Sequence, residues 1–445
     1  MGRVRAGSSP PSLRANFRWV LLGNGVNAAS QWGVLVLLAQ TADPSVLRQF
    51  VLALAICAPV MAISMLQLRN LQATDAAGEF DFADYFGVRI VWTCVGFIVI
   101  AAITATSHLD TQTAVVVLLV GVAKCADGLS DIVRGLFQRL ERMDYSGKSL
   151  MLRGPAALAV MALAMVWTKS LPWAAAAMGA TWIATLWFYD LAVAGRLLRI
   201  SNTDRPGNRL WPRVRGNTLF RLSTLALPLG VVMGLTSLQT NIPRYLVDAF
   251  CEEEALGYFG ALAYPMVAGT MIATAMGQAA SPRLARYFID DLSAYGRLLV
   301  RLTGVAAIFG ICFVVAAWLL GRPFLAMLYG GAYAEHQSAF VLLALAMAIQ
   351  LMATCGGYGL TAARCFRVQV FLVGISCSVT AAAGFLCVPR WGVRGGAMAV
   401  LTTSSAMLLL FFGALGWVIH RKARSHRTLG VPAPTTDAAF PGGVR

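Results

Sequence analysis

Long, continuous apolar runs separated by short polar segments dominate the pattern of this chain. The runs are about 18–25 residues long and do not alternate between polar and apolar positions, which favours membrane-spanning helices over the strands of an outer-membrane barrel. We predict an all-α polytopic membrane protein with about twelve transmembrane helices. Their expected bounds are 17–40, 46–67, 85–106, 113–138, 149–168, 173–195, 222–250, 257–281, 297–320, 338–362, 368–388 and 395–420.

The strongest change in composition divides these helices into two sets of six. Residues 196–221 carry seven arginines and two prolines, and we interpret them as a basic cytoplasmic linker between an N-terminal bundle, 17–195, and a C-terminal bundle, 222–420. Six helices return each bundle to the side on which it starts, as in transporters built from two related halves. Residues 1–16 and 421–445 are then cytoplasmic tails, and we expect the second to be disordered.

Composition and charge agree with a membrane protein whose two termini face the cytoplasm. Hydrophobic residues make up 58% of the chain and charged residues 13%, and the mean hydropathy of +0.68 excludes a soluble globular protein. The net charge is +16, but the basic residues lie in short segments between apolar runs. This distribution is typical of membrane topology and does not indicate a nucleic-acid partner.

The sequence contains no recognisable catalytic or cofactor motif. The nine cysteines have no paired spacing and form no cluster with the four histidines, so we expect neither a metal site nor another cofactor. A nucleotide-binding P-loop is absent from the sequence, and no predicted outer loop is long enough for an active-site domain. We therefore expect a transporter and not an enzyme.

Four charged residues lie inside the predicted helix 113–138, where a membrane span is normally apolar. They are Lys124, Asp127, Asp131 and Arg134. Their spacings of three, four and three residues place them on one helical face. At a rise of about 1.5 Å per residue, Lys124 lies about 16 Å into the membrane, close to its centre. A charge facing lipid there costs roughly 2.5–3.5 kcal/mol, so this face must contact protein or water.

Two interpretations of this face are open. The four charges, which cancel within the helix, could form a buried ion network in which Lys124 pairs with Asp127 and Arg134 pairs with Asp131. Alternatively, the face lines a hydrated cavity, because intramembrane ionisable residues commonly mark ion or substrate pathways. In that case the two aspartates are candidates for coupling to protons or sodium ions. Arg134, which does not titrate, would be a fixed contact for an anion.

Polar residues on two other predicted helices are further candidates for a cavity wall. Asn24, Asn27 and Gln31 share one face of the first helix. They either face a cavity or bond to a neighbouring helix. The seventh helix contains two prolines that predict bending, and Asn241 and Arg244 share one of its faces. Arg244 either faces the cavity or extends towards the outer lipid headgroups.

Several segments resemble the polysaccharide-biosynthesis flippases of bacteria, members of the multidrug/oligosaccharidyl-lipid/polysaccharide exporter (MOP) superfamily. They are Leu66–Asn70, Asp84–Tyr85, Gly135–Met143, Asn241–Tyr245 and Pro282–Ala285. The resemblance implies two six-helix bundles around a central cavity, in the bacterial plasma membrane. The implied activity is ion-coupled transfer of an undecaprenyl-diphosphate-linked oligosaccharide to the outer leaflet.

The resemblance also implies binding residues and partners. A diphosphate needs cations, which Lys124, Arg134, Arg153 and Arg244 can supply, and the polar amides suit a sugar headgroup. The implied partners are the lipid-linked oligosaccharide, membrane lipids and a polysaccharide polymerase. An ion-coupled small-molecule or drug antiporter of the same superfamily is the alternative. A membrane glycosyltransferase or polymerase fits less well, because it would need a large outer loop.

Overall fold

The computed structural model describes residues 13–74, 79–201, 210–363 and 365–428, and within these ranges it contains helices and no strand. The helices of the first half are α1 (Leu13–Thr41), α2 (Pro44–Ser64), α3 (Leu68–Thr74), α4 (Phe82–Thr106), α5 (Thr111–Arg139), α6 (Met143–Thr168), α7 (Leu171–Thr185) and α8 (Ala192–Ser201). A π-helical segment, Leu186–Leu191, joins α7 to α8.

The second half begins after the basic linker. Its helices are α9 (Gly216–Phe250), α10 (Ala255–Ala263), α11 (Met266–Asp290), α12 (Leu292–Tyr329), α13 (Gly331–Ala334), α14 (Gln337–Ala362) and α15 (Phe366–Thr428). The all-α prediction is therefore confirmed. Residues 1–12, 202–209 and 429–445, which include most of both predicted tails and part of the predicted linker, lie outside the described residues.

Each of the twelve predicted spans coincides with a helical segment. Within the described ranges, ten segments are long and apolar enough to cross a membrane, and one of them, Val368–Lys422, is 55 residues long. Gly392 interrupts that segment with φ +53° and ψ −128°, so it contains the last two predicted helices. The predicted helix 257–281 is divided at Pro265 into α10 and α11.

Several helices extend beyond their predicted ends. α9 begins at Gly216 instead of 222, and α12 ends at Tyr329 instead of 320. α15 continues to Thr428, into the segment predicted as a disordered tail. Hydropathy locates the apolar part of a helix, whereas backbone hydrogen bonds continue through polar residues that reach the headgroups or solvent.

In the first bundle, α5 packs between α2, α4 and α7, while α1 packs against α6. Small residues allow the second pair to approach closely: a Cβ added to Gly23 would lie 2.7 Å from the Cα of Gly147, and one on Gly154 would lie 2.9 Å from the hydroxyl of Ser30. Close packing through small residues is the usual basis of helix association in lipid, where the hydrophobic effect does not drive it. This arrangement holds the polar face of α1 beside α6.

The two bundles contact each other along α2 and α9, and also at the end where α1 finishes. There, Trp32 donates a hydrogen bond of 2.6 Å to the hydroxyl of Tyr329. Arg48 forms ion pairs with Asp248 and Glu253, at 2.7 and 3.2 Å. These polar contacts join the first bundle to the second at this end.

The basic linker contacts the turn before α4. The backbone N–H of Arg213 donates to the carbonyl oxygen of Ala83 at 2.9 Å. The Arg213 guanidinium is 3.4 Å from Asp81, and Arg221 pairs with Glu79. The last part of the linker is thus attached to the first bundle before α9 begins the second.

We expect Gly392→Ala to lower the unfolding temperature of the detergent-solubilised protein. The backbone at Gly392 has a positive φ, which a residue with a Cβ adopts at a cost on the order of 1–3 kcal/mol. Gly413→Ala is the matched control, because Gly413 lies in the same helix with open space around it and alanine favours a helix by up to about 1 kcal/mol. An unchanged unfolding temperature for Gly392→Ala would contradict the assignment of the break to this residue.

Candidate functional site

Charged side chains from five segments of the first bundle meet beside the polar face of α5. Four belong to α5 itself, and the others come from α3, α4, α6 and the π-helical segment. We call this group the charge cluster; its members are Arg69, Arg89, Lys124, Asp127, Asp131, Arg134, Arg153 and Asp190.

Asp127 joins α5 to α6. Its Oδ1 atom accepts hydrogen bonds from Arg153 on α6 and from Arg134, whose Nη2 atom is 3.1 Å away and two turns further along α5. Both arginine side chains are almost completely buried. A carboxylate between two guanidinium groups strongly favours its charged form, because each ion lowers the cost of burying the other.

Asp131 joins α5 to α3 and α4. Its two oxygens lie 3.3 Å from Arg69 and 3.3 Å from Arg89, and Oδ1 is also 3.7 Å from Arg134. Arg89 is only 1% exposed, although its helix is otherwise strongly apolar. Two aspartates thus hold four arginines on four helices.

The turn between α2 and α3 brings Arg69 to this position. Leu66 and Gln67 adopt positive φ angles of 50° and 52°, which turn the chain before α3 begins. Gly135 on α5 leaves room for the arginine, because a Cβ there would lie 3.2 Å from Cγ of Arg69. The segment Leu66–Asn70 therefore has a structural role at the cluster.

The predicted pairing within α5 is partly wrong. Arg134 is closer to Asp127 than to Asp131, and no carboxylate oxygen of the described residues lies within 4 Å of Lys124. The Lys124 ammonium lies 5.4 Å from the ring centroid of Trp182, a favourable cation–π contact. Arg153 displaces Lys124 from Asp127, since its planar guanidinium reaches the carboxylate from α6.

The charge cluster carries a net positive charge. Its five cationic and three acidic side chains sum to +2 when all are ionised. Nε and Nη1 of Arg89 and Arg134 are buried and have no hydrogen-bond acceptor among the described residues, and the same is true of Nε of Arg153. Buried donors require acceptors. The cluster therefore has more positive charge and more donors than its own carboxylates balance.

Asp190 differs from the other two aspartates. It is 0% exposed, and no cation of the described residues lies within 4 Å of either carboxylate oxygen. Its neighbours include the buried hydroxyls of Ser130 and Ser149, while Arg134 and Arg153 act on it at longer range. π-Helical segments within α-helices frequently mark functional positions.

The polar face of α1 lies between the charge cluster and the second bundle. Asn27 accepts a hydrogen bond of 3.5 Å from Arg153. One turn later, Gln31 accepts one of 3.3 Å from the hydroxyl of Tyr264, which follows α10. Asn24 is exposed and bonds to its own helix through Val20, at 2.9 Å, so the structure does not bring it to the cluster.

A cavity of about 440 Å³ lies within the second bundle. Arg244 lines it and donates a hydrogen bond of 2.7 Å to Asn241, which is 2% exposed. Arg244 therefore faces the cavity and not the outer headgroups, and Tyr264 is its neighbour. The polar residues around the cavity include Thr236, Gln239, Thr240, Gln350, Thr354 and Thr403.

Sequence reasoning missed Arg69, Arg89 and Asp190. The last two are isolated charges inside the predicted helices 85–106 and 173–195, so the criterion that singled out Lys124 would have identified them as well. Arg69 follows an apolar run and has the pattern of an ordinary loop residue. Its position depends on the turn before α3, which leaves no clear signal in the sequence.

Comparison with solved structures identifies the fold. The protein is similar to the lipid II flippase MurJ in an inward closed conformation, with a TM-score of 0.69 and 8% identity over 92% of this chain and 91% of that one. It is also similar to an inward-facing multidrug resistance MATE family transporter of the MOP superfamily, with a TM-score of 0.67 and 10% identity over 90% and 96% of the two chains. The protein therefore shares the fold of these two membrane proteins.

Comparison of sequences identifies the family. The profile of the polysaccharide biosynthesis protein family matches residues 13–288, and the chain belongs to this family. It is also 20% identical over 403 residues to the capsular polysaccharide biosynthesis protein CapF of Staphylococcus aureus, over 89% of this chain and 98% of that protein. These findings confirm the family resemblance.

We expect Asp127→Asn to destabilise the protein by about 3 kcal/mol, because it leaves two buried guanidinium groups without their shared counterion. Pyrophosphate should offset this loss and raise the unfolding temperature of the variant more than that of the wild type. Asp248→Asn, which breaks an ion pair at the other end of the bundles, is the control and should show no added response. Equal pyrophosphate responses of all three proteins would refute an anion site at the charge cluster.

Proposed function

We propose that this protein moves an undecaprenyl-diphosphate-linked oligosaccharide from the cytoplasmic to the outer leaflet of the bacterial plasma membrane. The observation that carries the proposal is the net positive charge cluster inside the first bundle of a transporter fold. Membership of the polysaccharide biosynthesis family supports a lipid-linked glycan as the substrate. On this proposal, the oligosaccharide delivered outside is the substrate of a polysaccharide polymerase.

The charge cluster matches the chemistry of a diphosphate diester. Each phosphate of such a group carries one negative charge and several acceptor oxygens, whereas the cluster offers a surplus of cations and unpaired N–H donors. Charge-assisted bonds from arginine to phosphate are roughly twice as strong as neutral ones. Lys124 is the most available cation, because no carboxylate lies within 4 Å of it among the described residues.

The cavity of the second bundle suits the sugar headgroup. Its volume of about 440 Å³ lies within the range of small-molecule sites. Amide and hydroxyl side chains line it together with apolar residues, a combination that complements the hydroxyl groups and the apolar faces of a sugar. On α1, Asn27 contacts Arg153 of the charge cluster and Gln31 contacts Tyr264 of the second bundle.

The contacts between the bundles support transport by alternating access. If the termini are cytoplasmic, as the distribution of basic residues predicts, the end joined by Arg48 and Asp248 is the outer end. The substrate would then enter from the cytoplasmic side, and opening of these contacts would release it outside. Such a change requires the substrate or a coupling ion to bind the two conformations with different affinities.

Asp190 is a stronger candidate for proton coupling than the two aspartates predicted from the sequence. Asp127 and Asp131 each contact at least two arginines, so a proton on either carboxylate would disrupt ion pairs that hold helices together. Asp190 is fully buried, and no cation of the described residues lies within 4 Å of it. It can therefore gain or lose a proton without breaking such an ion pair.

We expect Lys124→Gln to reduce surface polysaccharide in a complementation assay while the amount of protein in the membrane stays unchanged. The loss of one charged hydrogen bond, about 1.5–3 kcal/mol, predicts a reduction in transport of tenfold or more. The matched control is Arg390→Gln, which removes an exposed cation of the second bundle and should complement fully. Normal export by the Lys124 variant would argue against the charge cluster as the diphosphate site.

We expect purified protein in liposomes to move a fluorescent undecaprenyl-diphosphate-linked oligosaccharide faster when a pH gradient is imposed. Asp190→Asn should remove this dependence on the pH gradient. Asp127→Asn is the comparison variant, and any transport that it retains should still depend on the gradient. Gradient-independent transport by the wild type would exclude proton coupling. Transport of a drug but of no lipid-linked oligosaccharide would favour the small-molecule antiporter instead.

A further inference from the structure

Arg244 is the only charged residue among the described residues that line the second-bundle cavity. No carboxylate of the described residues lies within 4 Å of its guanidinium group, which donates a hydrogen bond to the neutral amide of Asn241. Its other close electrostatic neighbours are the phenols of Tyr245 and Tyr264. Among the described residues, the contacts of this cation are therefore with neutral groups.

Arg244 is partly exposed at the cavity wall, and the neutral amide of Asn241 leaves its charge unbalanced. Buried charges are normally paired with an opposite charge. In the first bundle, Arg134 and Arg153 follow this rule, because both contact Asp127. Arg244 has no such partner among the described residues and lines a cavity, which leaves its guanidinium group available to pair with an anionic ligand.

The other polar groups at the cavity indicate what kind of ligand carries that negative charge. The hydroxyls of Thr236, Thr240 and Thr354 donate to carbonyl oxygens of their own helices, at 3.0, 3.0 and 2.8 Å. Each hydroxyl oxygen therefore keeps lone pairs that can accept a hydrogen bond from a ligand. Hydrogen-bond acceptors of this kind complement the hydroxyl donors of a sugar.

We propose that the second-bundle cavity binds an acidic sugar, with Arg244 paired to the sugar carboxylate and the threonine hydroxyls accepting hydrogen bonds from its ring hydroxyls. This proposal rests on the proposed function and narrows its substrate class to acidic oligosaccharides. A guanidinium group can hold a carboxylate through two parallel hydrogen bonds, which a neutral sugar cannot make. The diphosphate and the sugar carboxylate would then occupy separate cationic sites, one in each bundle.

The test compares two ligands that differ only in the carboxyl group. An oligosaccharide containing glucuronic acid and its carboxyl-reduced form are titrated into the purified full-length protein at constant ionic strength, since salt screens the pairing. We expect the wild type to bind the acidic form at least about tenfold more tightly, the equivalent of about 1.4 kcal/mol. Equal affinities for the two forms would overturn the proposal.

Variants at Arg244 test whether this residue causes the preference for the acidic oligosaccharide over its carboxyl-reduced form. Arg244→Gln should bind the two forms equally, and Arg244→Lys should keep part of the preference, because it retains the charge but not the planar fork. Arg390→Gln is the control for a general loss of positive charge and should keep the full preference. An unfolding temperature equal to that of the wild type shows that the variants are folded, and a preference that survives in Arg244→Gln would refute the assignment.

A transport assay separates failure of this proposal from failure of the proposed function. Liposomes are supplied with lipid-linked oligosaccharides that carry either the acidic sugar or its carboxyl-reduced form. Faster transport of the acidic form by the wild type, but not by Arg244→Gln, supports the acidic-sugar site. Equal transport of both forms refutes that site and leaves the flippase function standing, whereas transport of neither form refutes the flippase function itself.

Discussion

The carboxylate of Asp127 is the contact on which the arrangement of the first bundle depends most directly. It neutralises Arg134 on its own helix and Arg153 on α6, both of which are almost completely buried. Asp131 does the same for arginines from α3 and α4. Charges at membrane depth are tolerated only when they are paired or hydrated. Helix packing is therefore linked to ion pairing, and displacement of one helix would leave a buried charge exposed to an apolar environment.

The carboxylates of the charge cluster do not balance all of its cations, and this excess of positive charge is the basis of the proposed anion binding. Asp127 and Asp131 hold four arginines, while Lys124 rests on the ring of Trp182 instead of on a carboxylate. The contacts that form are those of the first interpretation of the α5 face, a buried ion network, and the same residues leave a surplus of positive charge. The aspartates hold the arginine side chains in fixed positions before a ligand arrives. This preorganisation reduces the conformational entropy that the side chains lose on binding.

The sequence was sufficient to predict the helices and the α5 face, because hydropathy and spacing are local properties. It was insufficient to identify the partners of that face. Arg153 and Arg89 reach the aspartates from other helices. The spacing of residues within one helix does not predict contacts between helices. The Lys124–Asp127 pair was predicted wrongly for the same reason: a planar guanidinium group from α6 competes better for the carboxylate than the flexible ammonium group one turn away.

The positions of the two cationic sites have a consequence for the proposed transport cycle. The charge cluster belongs to the first bundle and Arg244 to the second. Between them on α1, Asn27 contacts Arg153 of the cluster and Gln31 contacts Tyr264 of the second bundle. A ligand that binds both sites therefore spans the boundary across which the bundles must move relative to each other. Its binding energy depends on the separation of the bundles, so it stabilises the conformation in which both contacts form. Opening at the outer end would change that separation, weaken one of the two contacts and favour release.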